Sequence, residues 1–123
     1  MFGEKINEVF VKNILNEHLN TEPFFFFAPE YVDEKYQYHI YVETDKDLSD
    51  IQDKIEKRLK SNFHYNYAVE IGQLLPLKVM KTRNGNDKYL KRCQEEFNQR
   101  LGDIKQTSFS NKIGWLKFFK EEN

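Results

Sequence analysis

Apolar residues recur every three or four positions in four stretches of the chain, a spacing typical of amphipathic helices. In the third stretch Tyr67, Ala68 and Ile71 share one side, which we expect to pack. Pro23 ends the first stretch because proline disfavours helical geometry in the residue before it, and Gly72 suits a left-handed C-cap after the third. The pattern predicts helices over residues 4–19, 48–60, 64–71 and 87–98.

Other segments follow the two-residue period of strands. Residues 36–43 alternate apolar and polar side chains, which predicts a half-buried strand, and residues 74–82 alternate around Pro76, as at a strand start or edge. Residues 24–28, Phe-Phe-Phe-Phe-Ala, do not alternate, which indicates a strand covered on both faces or one whose second face meets a partner. The short polar segment 33–35 separates the first two strands, so we expect an antiparallel hairpin.

The order of these elements predicts a small α+β fold. We expect a two-layer sandwich in which four to five helices pack against a three-stranded, mainly antiparallel sheet built from a hairpin and a helical crossover. This arrangement is that of a ferredoxin-like half, with the third strand beside the first and antiparallel to it. Trp115, Phe118 and Phe119 predict a C-terminal segment that folds back onto the core. The length suits a single domain, residues 1–123.

Composition and charge narrow the classes of function. Lys and Arg number 19 against 20 Asp and Glu, so the net charge of -1 gives no general attraction for nucleic acid or an anionic membrane. No stretch approaches the roughly 18 apolar residues that span a bilayer. Glu4 and Lys5 stand where a signal peptide would begin its apolar run. The single cysteine, Cys93, fits the core and a reducing compartment. We therefore expect a soluble, cytoplasmic protein, and its oligomeric state stays open.

The residues that most often perform catalysis form no familiar pattern in this chain. The three histidines lack a paired four-residue spacing, so we expect no metal site. Ser108 and Ser110 have neither a neighbouring histidine nor the glycines of a nucleophile elbow. Residues 83–86, Arg-Asn-Gly-Asn, indicate a turn and not a phosphate-binding loop. We expect this domain alone to bind no cofactor.

Three spaced blocks of sequence carry a family resemblance. The first is Gly3-Glu4-Lys5-x-Asn7-Glu8, and the second is Asn62-x-x-Tyr65-x-x-Ala68 followed by Gly72-Gln73-Leu74-x-Pro76-Leu77. The third is Gln99-Arg100-Leu101-Gly102-Asp103-Ile104-Lys105. In this order they resemble the hinge signature, the central motif and the lysine-bearing block of the C-terminal domain in the auxin-responsive promoter family of acyl-acid amido synthetases.

The resemblance implies a mobile lid domain of an acyl-adenylating enzyme, whose much larger N-terminal ATP-binding domain has no counterpart in this sequence. Such enzymes use ATP and Mg to activate a carboxylate as an acyl adenylate, which is then conjugated to an amine such as an amino acid. The resemblance implies that Lys105 is the catalytic lysine that enters the active site of the large domain, and that Gly3, Glu4 and Lys5 form the hinge. Alone, the lid would be inactive, and its partner would be the large domain, in cis or in trans.

The chain departs from the family pattern at two positions. The family usually has proline after its lysine, where this chain has Gln106, and commonly arginine after its alanine, where this chain has Val69. Tyr65, Tyr67 and Gln73 are candidate contacts to the substrate or to the large domain, although aromatic residues at this spacing are more often core residues.

Two other classes of function stay open from the residues. A free-standing binding or regulatory module would dock through an exposed aromatic sheet face at residues 24–27. An aromatic sheet could also stack RNA bases, but residues 36–42 lack the aromatic-glycine motif and the nearby cations that such domains use. A contiguous exposed aromatic face would be the sign of docking.

Overall fold

The computed structural model describes residues 6–120, so the predicted hinge residues Gly3, Glu4 and Lys5 lie outside the described part of the chain. Within residues 6–120 the small α+β fold predicted from the sequence is confirmed, with one three-stranded sheet and five α-helices. None of these five helices is long and apolar enough to cross a membrane. In chain order the elements are α1 (Glu8–Leu19), β1 (Phe24–Val32), β2 (Lys35–Glu43), α2 (Ser49–Leu59), α3 (Phe63–Glu70), β3 (Leu74–Lys81), α4 (Gly85–Glu95), a 3-10 turn (Leu101–Asp103) and α5 (Leu116–Phe119).

The sheet is mixed, with the strands in the order β1-β2-β3. The hairpin is confirmed, since β1 and β2 pair antiparallel and are joined by Asp33 and Glu34, whose φ angles of 50° and 67° are those of a type I′ turn. In contrast, β3 pairs parallel with β2. The expectation that β3 lies beside β1 is therefore wrong, and the sheet is mixed instead of mainly antiparallel.

The outer edge of β1 explains this difference. The N–H of Phe27 donates to the carbonyl oxygen of Ser108 at 2.8 Å, and the carbonyl oxygen of Phe27 accepts from the N–H of Ser110 at 2.9 Å. A C-terminal segment therefore occupies the edge at which β3 was expected. Because β2 has its other edge free, β3 returns through α2 and α3 to pair there.

Helices α1, α2 and α3 cover one face of the sheet. The side chain of Asn7 caps α1 by accepting the N–H of Phe10 at 3.1 Å, so this helix begins at Glu8 and not at residue 4 as the spacing predicted. Asp47 accepts the N–H of Ser49, the first residue of α2, at 2.9 Å. The buried side chains on this face are Val11, Ile14, Leu15, Leu19, Phe27, Tyr38, Ile40, Val42, Ile55, Leu59, Tyr65, Ala68, Leu74, Leu77 and Val79.

Helices α4 and α5 cover the opposite face. Phe26 and Phe27 are both 0% exposed on opposite sides of β1, which explains why residues 24–28 do not alternate. Phe26 and Phe27 therefore do not provide the exposed face through which a docking module would bind. Tyr38 and Tyr41 on β2 are likewise buried, which leaves their rings unavailable for base stacking. The predicted fold-back of the C-terminal segment is confirmed. The buried side chains on this face are Phe26, Ala28, Tyr41, Tyr89, Cys93, Trp115 and Phe119.

Polar contacts fasten the C-terminal segment to this second face. The buried carboxylate of Glu30 accepts the N–H of Gly114 at 3.2 Å on both oxygens and the N–H of Leu116 at 3.1 Å. The guanidinium of Arg92 donates to the carbonyl oxygen of Ile113 at 2.8 Å. These hydrogen bonds satisfy backbone N–H and carbonyl groups that lose their contact with water when the segment packs on the sheet.

The α3–β3 junction follows the predicted geometry. Asn62 caps the start of α3 by accepting the N–H of Tyr65 at 3.0 Å, and Gly72 has φ of 77°, so the left-handed C-cap is confirmed. The N–H of Gln73 donates to the carbonyl oxygen of Ala68 at 3.0 Å, which completes a Schellman motif. The Asn62 cap therefore fixes where α3 begins, and the motif at Gly72 fixes where it ends and β3 follows.

The sides of α3 are not those expected. Tyr65 and Ala68 are buried against the sheet, whereas Tyr67 and Ile71 are exposed. The expectation that Tyr67, Ala68 and Ile71 pack together is therefore wrong for two of the three. The physical reason is that Tyr65 and Ala68, three residues apart, already form the packed side of this short helix.

Side chains of α2 cover the backbone of β3 at the other edge of the sheet. The N–H of Val79 donates to the side-chain oxygen of Gln52 at 2.8 Å, and the N–H of Leu77 donates to the carboxylate of Glu56 at 3.3 Å. The outward-facing amides of β3 at these two residues are therefore satisfied within the domain.

Candidate functional site

The candidate catalytic lysine lies on an exposed loop that follows the 3-10 turn. Lys105 is exposed, and within residues 6–120 its ammonium forms no ion pair. Its backbone is held, because the hydroxyl of Tyr89 on α4 donates to the carbonyl oxygen of Lys105 at 2.6 Å. The loop therefore presents a free cation from an anchored position.

A side-chain bond holds the next residue of the loop. The amide nitrogen of Gln106 donates to the side-chain oxygen of Asn86, near the start of α4, at 2.7 Å. Where the family pattern has proline, which restricts φ, this chain thus has a tether to α4. Two residues further on, Ser108 begins the pairing with β1. The loop is consequently fixed on both sides of Lys105.

A shallow groove of about 390 Å³ lies alongside this loop. Lys12 of α1 reaches it, but its ammonium is paired with the carboxylate of Glu8 at 2.8 Å. The groove thus combines polar groups with the partly exposed rings at the start of β1. Its lining residues are Lys12, Asn16, Pro23, Phe24, Phe25, Gln106, Thr107 and Ser108.

Tyr65, a candidate contact residue, is part of the core. Its side chain is buried, and its hydroxyl donates a short hydrogen bond to the carboxylate of Glu56. Burial first, and the neighbouring Glu56 carboxylate second, raise the pKa of Tyr65 well above its ordinary value. Since neither the ring nor the hydroxyl reaches the surface, Tyr65 holds α3 to the sheet and β3.

Tyr67 and Gln73, the other candidate contacts, are exposed. The ring of Tyr67 stacks on that of Phe63 with the centroids 6.0 Å apart. Both residues lie beside the C-terminal half of α3, and Lys105 lies near the opposite edge of the sheet. The structure therefore does not bring the four candidate residues within 6–120 together into one site.

The start of α4, which follows the turn at residues 83–86, is already bonded to a carboxylate. The turn at residues 83–86 leads into α4, but the N–H of Gly85 at the start of that helix donates to the carboxylate of Glu43 at 3.0 Å. A phosphate placed there would meet this negative charge, so the start of α4 does not suit a phosphate group. Over the same part of the chain, no group of three or more His, Cys, Asp or Glu residues could hold a metal ion.

His39 is the most perturbed histidine of the described chain and serves the core. Burial lowers the pKa of His39 to about 4, so its ring is neutral at physiological pH. The ring nitrogens are within hydrogen-bonding distance of the Tyr41 hydroxyl at 3.1 Å and the Gln37 side-chain oxygen at 2.8 Å. These contacts account for both nitrogens without a substrate or a metal.

Sequence reasoning missed the two residues that position the lysine loop. Tyr89 lies within the helix predicted over residues 87–98, and its hydroxyl reaches an irregular segment 16 residues away. Asn86 was assigned to a turn. No periodicity links a helix to an irregular loop, so these contacts had no signal in the pattern of apolar and polar residues.

Comparison with known families agrees with the three sequence blocks. The family model described as the GH3 family C-terminal domain matches residues 5–112. A search of curated proteins finds no match. The family match spans most of the chain, includes Lys105 and ends shortly before the last helix. The chain therefore belongs to the GH3 family, and what it contains is the C-terminal domain of that family.

Proposed function

We propose that this chain is the C-terminal domain of an acyl-acid amido synthetase-like adenylating enzyme. In the intact enzyme it assists ATP-dependent activation of a carboxylate and conjugation of the acyl group to an amine such as an amino acid. A large N-terminal domain, in cis or in trans, holds ATP and Mg. We expect the chain to be inactive by itself, because ATP is held by the large domain and the start of α4 is already bonded to the carboxylate of Glu43.

The observation that carries this proposal is the exposed ammonium of Lys105 on an anchored loop, in a chain that the GH3 C-terminal domain model matches. A lysine that reaches into another domain needs a free head group and a fixed backbone position. Had the amine been buried or paired with a carboxylate, this role would have been lost. Tyr89 and Gln106 supply the fixed backbone, and solvent exposure supplies the free head group.

The chemistry of adenylation favours a cation of this kind. A carboxylate oxygen attacks the α-phosphorus of ATP, and the bond from that phosphorus to pyrophosphate breaks. Two anions must approach while negative charge increases on the transferring group, so a positioned cation stabilises the transition state more than the separated reactants. Lysine is suited because its compact charge sits on a flexible stem.

The proposed hinge, Gly3, Glu4 and Lys5, lies outside residues 6–120 and rests on the sequence resemblance. The family match begins at residue 5, so it leaves out Gly3 and Glu4. The first described residue, Ile6, packs partly against the core beneath α1, α2 and α3. A hinge at these positions would therefore join the large domain to this face of the sheet.

The test is ATP–pyrophosphate exchange by the large domain encoded upstream of, or next to, this chain, with and without the chain. We expect the chain to raise the exchange rate. The Lys105→Ala variant should lower that raised rate about 10²-fold, which is the usual effect of losing one transition-state contact. Lys57→Ala, at an exposed position on α2, is the matched control and should leave the rate unchanged.

Two results would contradict the proposal. One is no gain in exchange rate on adding the parent chain, and the other is an equal rate for the parent and Lys105→Ala. The DNA around the gene gives an earlier test, since a reading frame for a large ATP-binding domain is required. Its absence would favour a solitary module.

A further inference from the structure

Three exposed apolar side chains form a stripe along the outer side of α3. Phe63, Tyr67 and Ile71 are four residues apart, so they lie one above another on the helix surface. They are 72%, 53% and 47% exposed, respectively. The rings of Phe63 and Tyr67 stack on each other with planes 9° apart, so the two exposed rings are adjacent. We call these three residues the α3 stripe.

The α3 stripe is not needed to hold the helix in place. Tyr65 and Ala68 bury the other side of α3, and hydrogen-bonded caps close both of its ends. Exposed aromatic area is unfavourable in water, at about 25 cal/mol per Å². On soluble proteins a contiguous apolar patch marks an interaction site, and aromatic residues are the usual anchors of interfaces. The stripe therefore has the character of a docking surface.

The position of the N-terminal connection identifies what docks there. Ile6 packs partly against the buried cluster that contains Tyr38 and Tyr65, and the ring centroids of these two tyrosines lie 6.2 Å apart. A domain joined to this one before Ile6 is therefore attached next to α3. We infer that the α3 stripe is the docking surface for the large N-terminal domain, an inference that rests on the proposed function.

The charges around the stripe favour a protein partner. The carboxylate of Glu70, bonded to the side chain of Asn66 at 3.2 Å, lies on α3 itself. The ammonium of Lys35 lies over Gly72, 3.6 Å from where a Cβ would be. The rim thus carries both signs. Phosphate backbones and anionic lipids require clusters of cations, which this rim does not provide.

Docking on the α3 stripe leaves Lys105 accessible. Helix α3 packs against β3 at one edge of the sheet. Lys105 precedes Ser108, which is bonded to Phe27 of β1 at the other edge. Since the width of the sheet separates the two surfaces, docking through the stripe and the action of Lys105 can be altered independently.

The test is isothermal titration calorimetry of the full chain with the same large domain as in the exchange assay. The double variant Phe63→Ser/Tyr67→Ser removes both exposed rings, and its circular dichroism and thermal unfolding should match the parent. We expect its Kd to rise at least about tenfold. The matched control is Ile113→Ser, an equally apolar exposed position beside α4, whose Kd should stay within about twofold.

The outcomes separate this inference from the proposed function. If Lys105→Ala keeps the exchange rate while the double variant weakens binding, the catalytic role fails and the docking surface stands. If Lys105→Ala loses the rate while the double variant binds as the parent does, the docking surface fails. No binding by the parent chain overturns both. Self-association of the chain that the double variant abolishes and the large domain does not displace would identify a second copy as the occupant, and would also overturn the inference.

Discussion

Residues 113–120 lie beyond the family match, yet together with α4 they cover the second face of the sheet. The match ends at residue 112, whereas Phe119 is 0% exposed. We therefore expect Phe119→Ala to destabilise the whole domain and not only its end. The ring centroid of Phe119 lies 4.7 to 5.6 Å from those of four other aromatic side chains, namely Tyr41, Phe26, Trp115 and Phe24.

The size of the effect follows from this burial. Truncation of a buried phenylalanine to alanine costs about 3–5 kcal/mol, because the transfer free energy of the ring is lost and a cavity remains. Against a total unfolding free energy of about 5–15 kcal/mol for a typical domain, this is a large share. For a chain of this length the midpoint temperature should fall by roughly 10–20 °C.

The measurement is urea unfolding followed by both far-ultraviolet circular dichroism and tryptophan fluorescence. Trp115 is the only tryptophan, so its emission reports on this aromatic cluster alone. Phe118→Ala, at the partly exposed neighbouring position, is the matched control and should cost about 1 kcal/mol or less. A cost below about 1 kcal/mol for Phe119→Ala would refute the reasoning. So would a parent chain whose fluorescence changes at lower urea than its circular dichroism, because the segment would then detach separately.

Three further predictions concern two buried polar side chains, His39 and Glu30, and the glycine at position 114. The folded-state pKa of His39 is lowered to about 4 from 6.5, so between these pH values only the unfolded chain binds the proton. The unfolding free energy should therefore fall, by at most about 3 kcal/mol, as pH drops through this window, and His39→Gln should reduce that slope in urea titrations. Glu30→Gln should cost about 1–3 kcal/mol, measured by urea unfolding, because the bonds to Gly114 and Leu116 lose their charged acceptor. Gly114→Ala should lower the midpoint temperature, since φ is 97° and the new Cβ would lie 2.9 Å from a guanidinium nitrogen of Arg92; an unchanged melt would contradict this.

Local sequence signals predicted most elements but not how they assemble. The alternation in residues 36–43 and the glycine at position 72 act through neighbouring residues, so both the strand and the C-cap were predictable. The partner of β3 was not predictable, because it depends on Ser108 and Ser110 occupying the edge of β1 from a segment with no regular period. Likewise, Tyr67 lies outside and Tyr65 inside because the tertiary packing of a two-turn helix decides between two similar faces.

The candidate site was predictable only in part. The resemblance pointed to Lys105, and the structure adds that its amine is exposed and its backbone is bonded to Tyr89. That bond joins a helix to an irregular loop, so no periodic pattern could reveal it. The exposure of the α3 stripe was equally hidden, since an apolar residue in a helix is expected to pack unless the structure shows otherwise.

Side chains of α2 cover part of the outer edge of β3, which limits how other molecules can pair with the sheet. Gln52 and Glu56 satisfy its backbone amides on one side, and the Ser108 segment takes the corresponding place beside β1. An incoming peptide therefore finds few unpaired amides with which to lengthen the ladder. Pairing with a partner strand is hindered at these positions, so recognition should depend mainly on side chains, and a crowded solution of the domain should resist growth into fibrils.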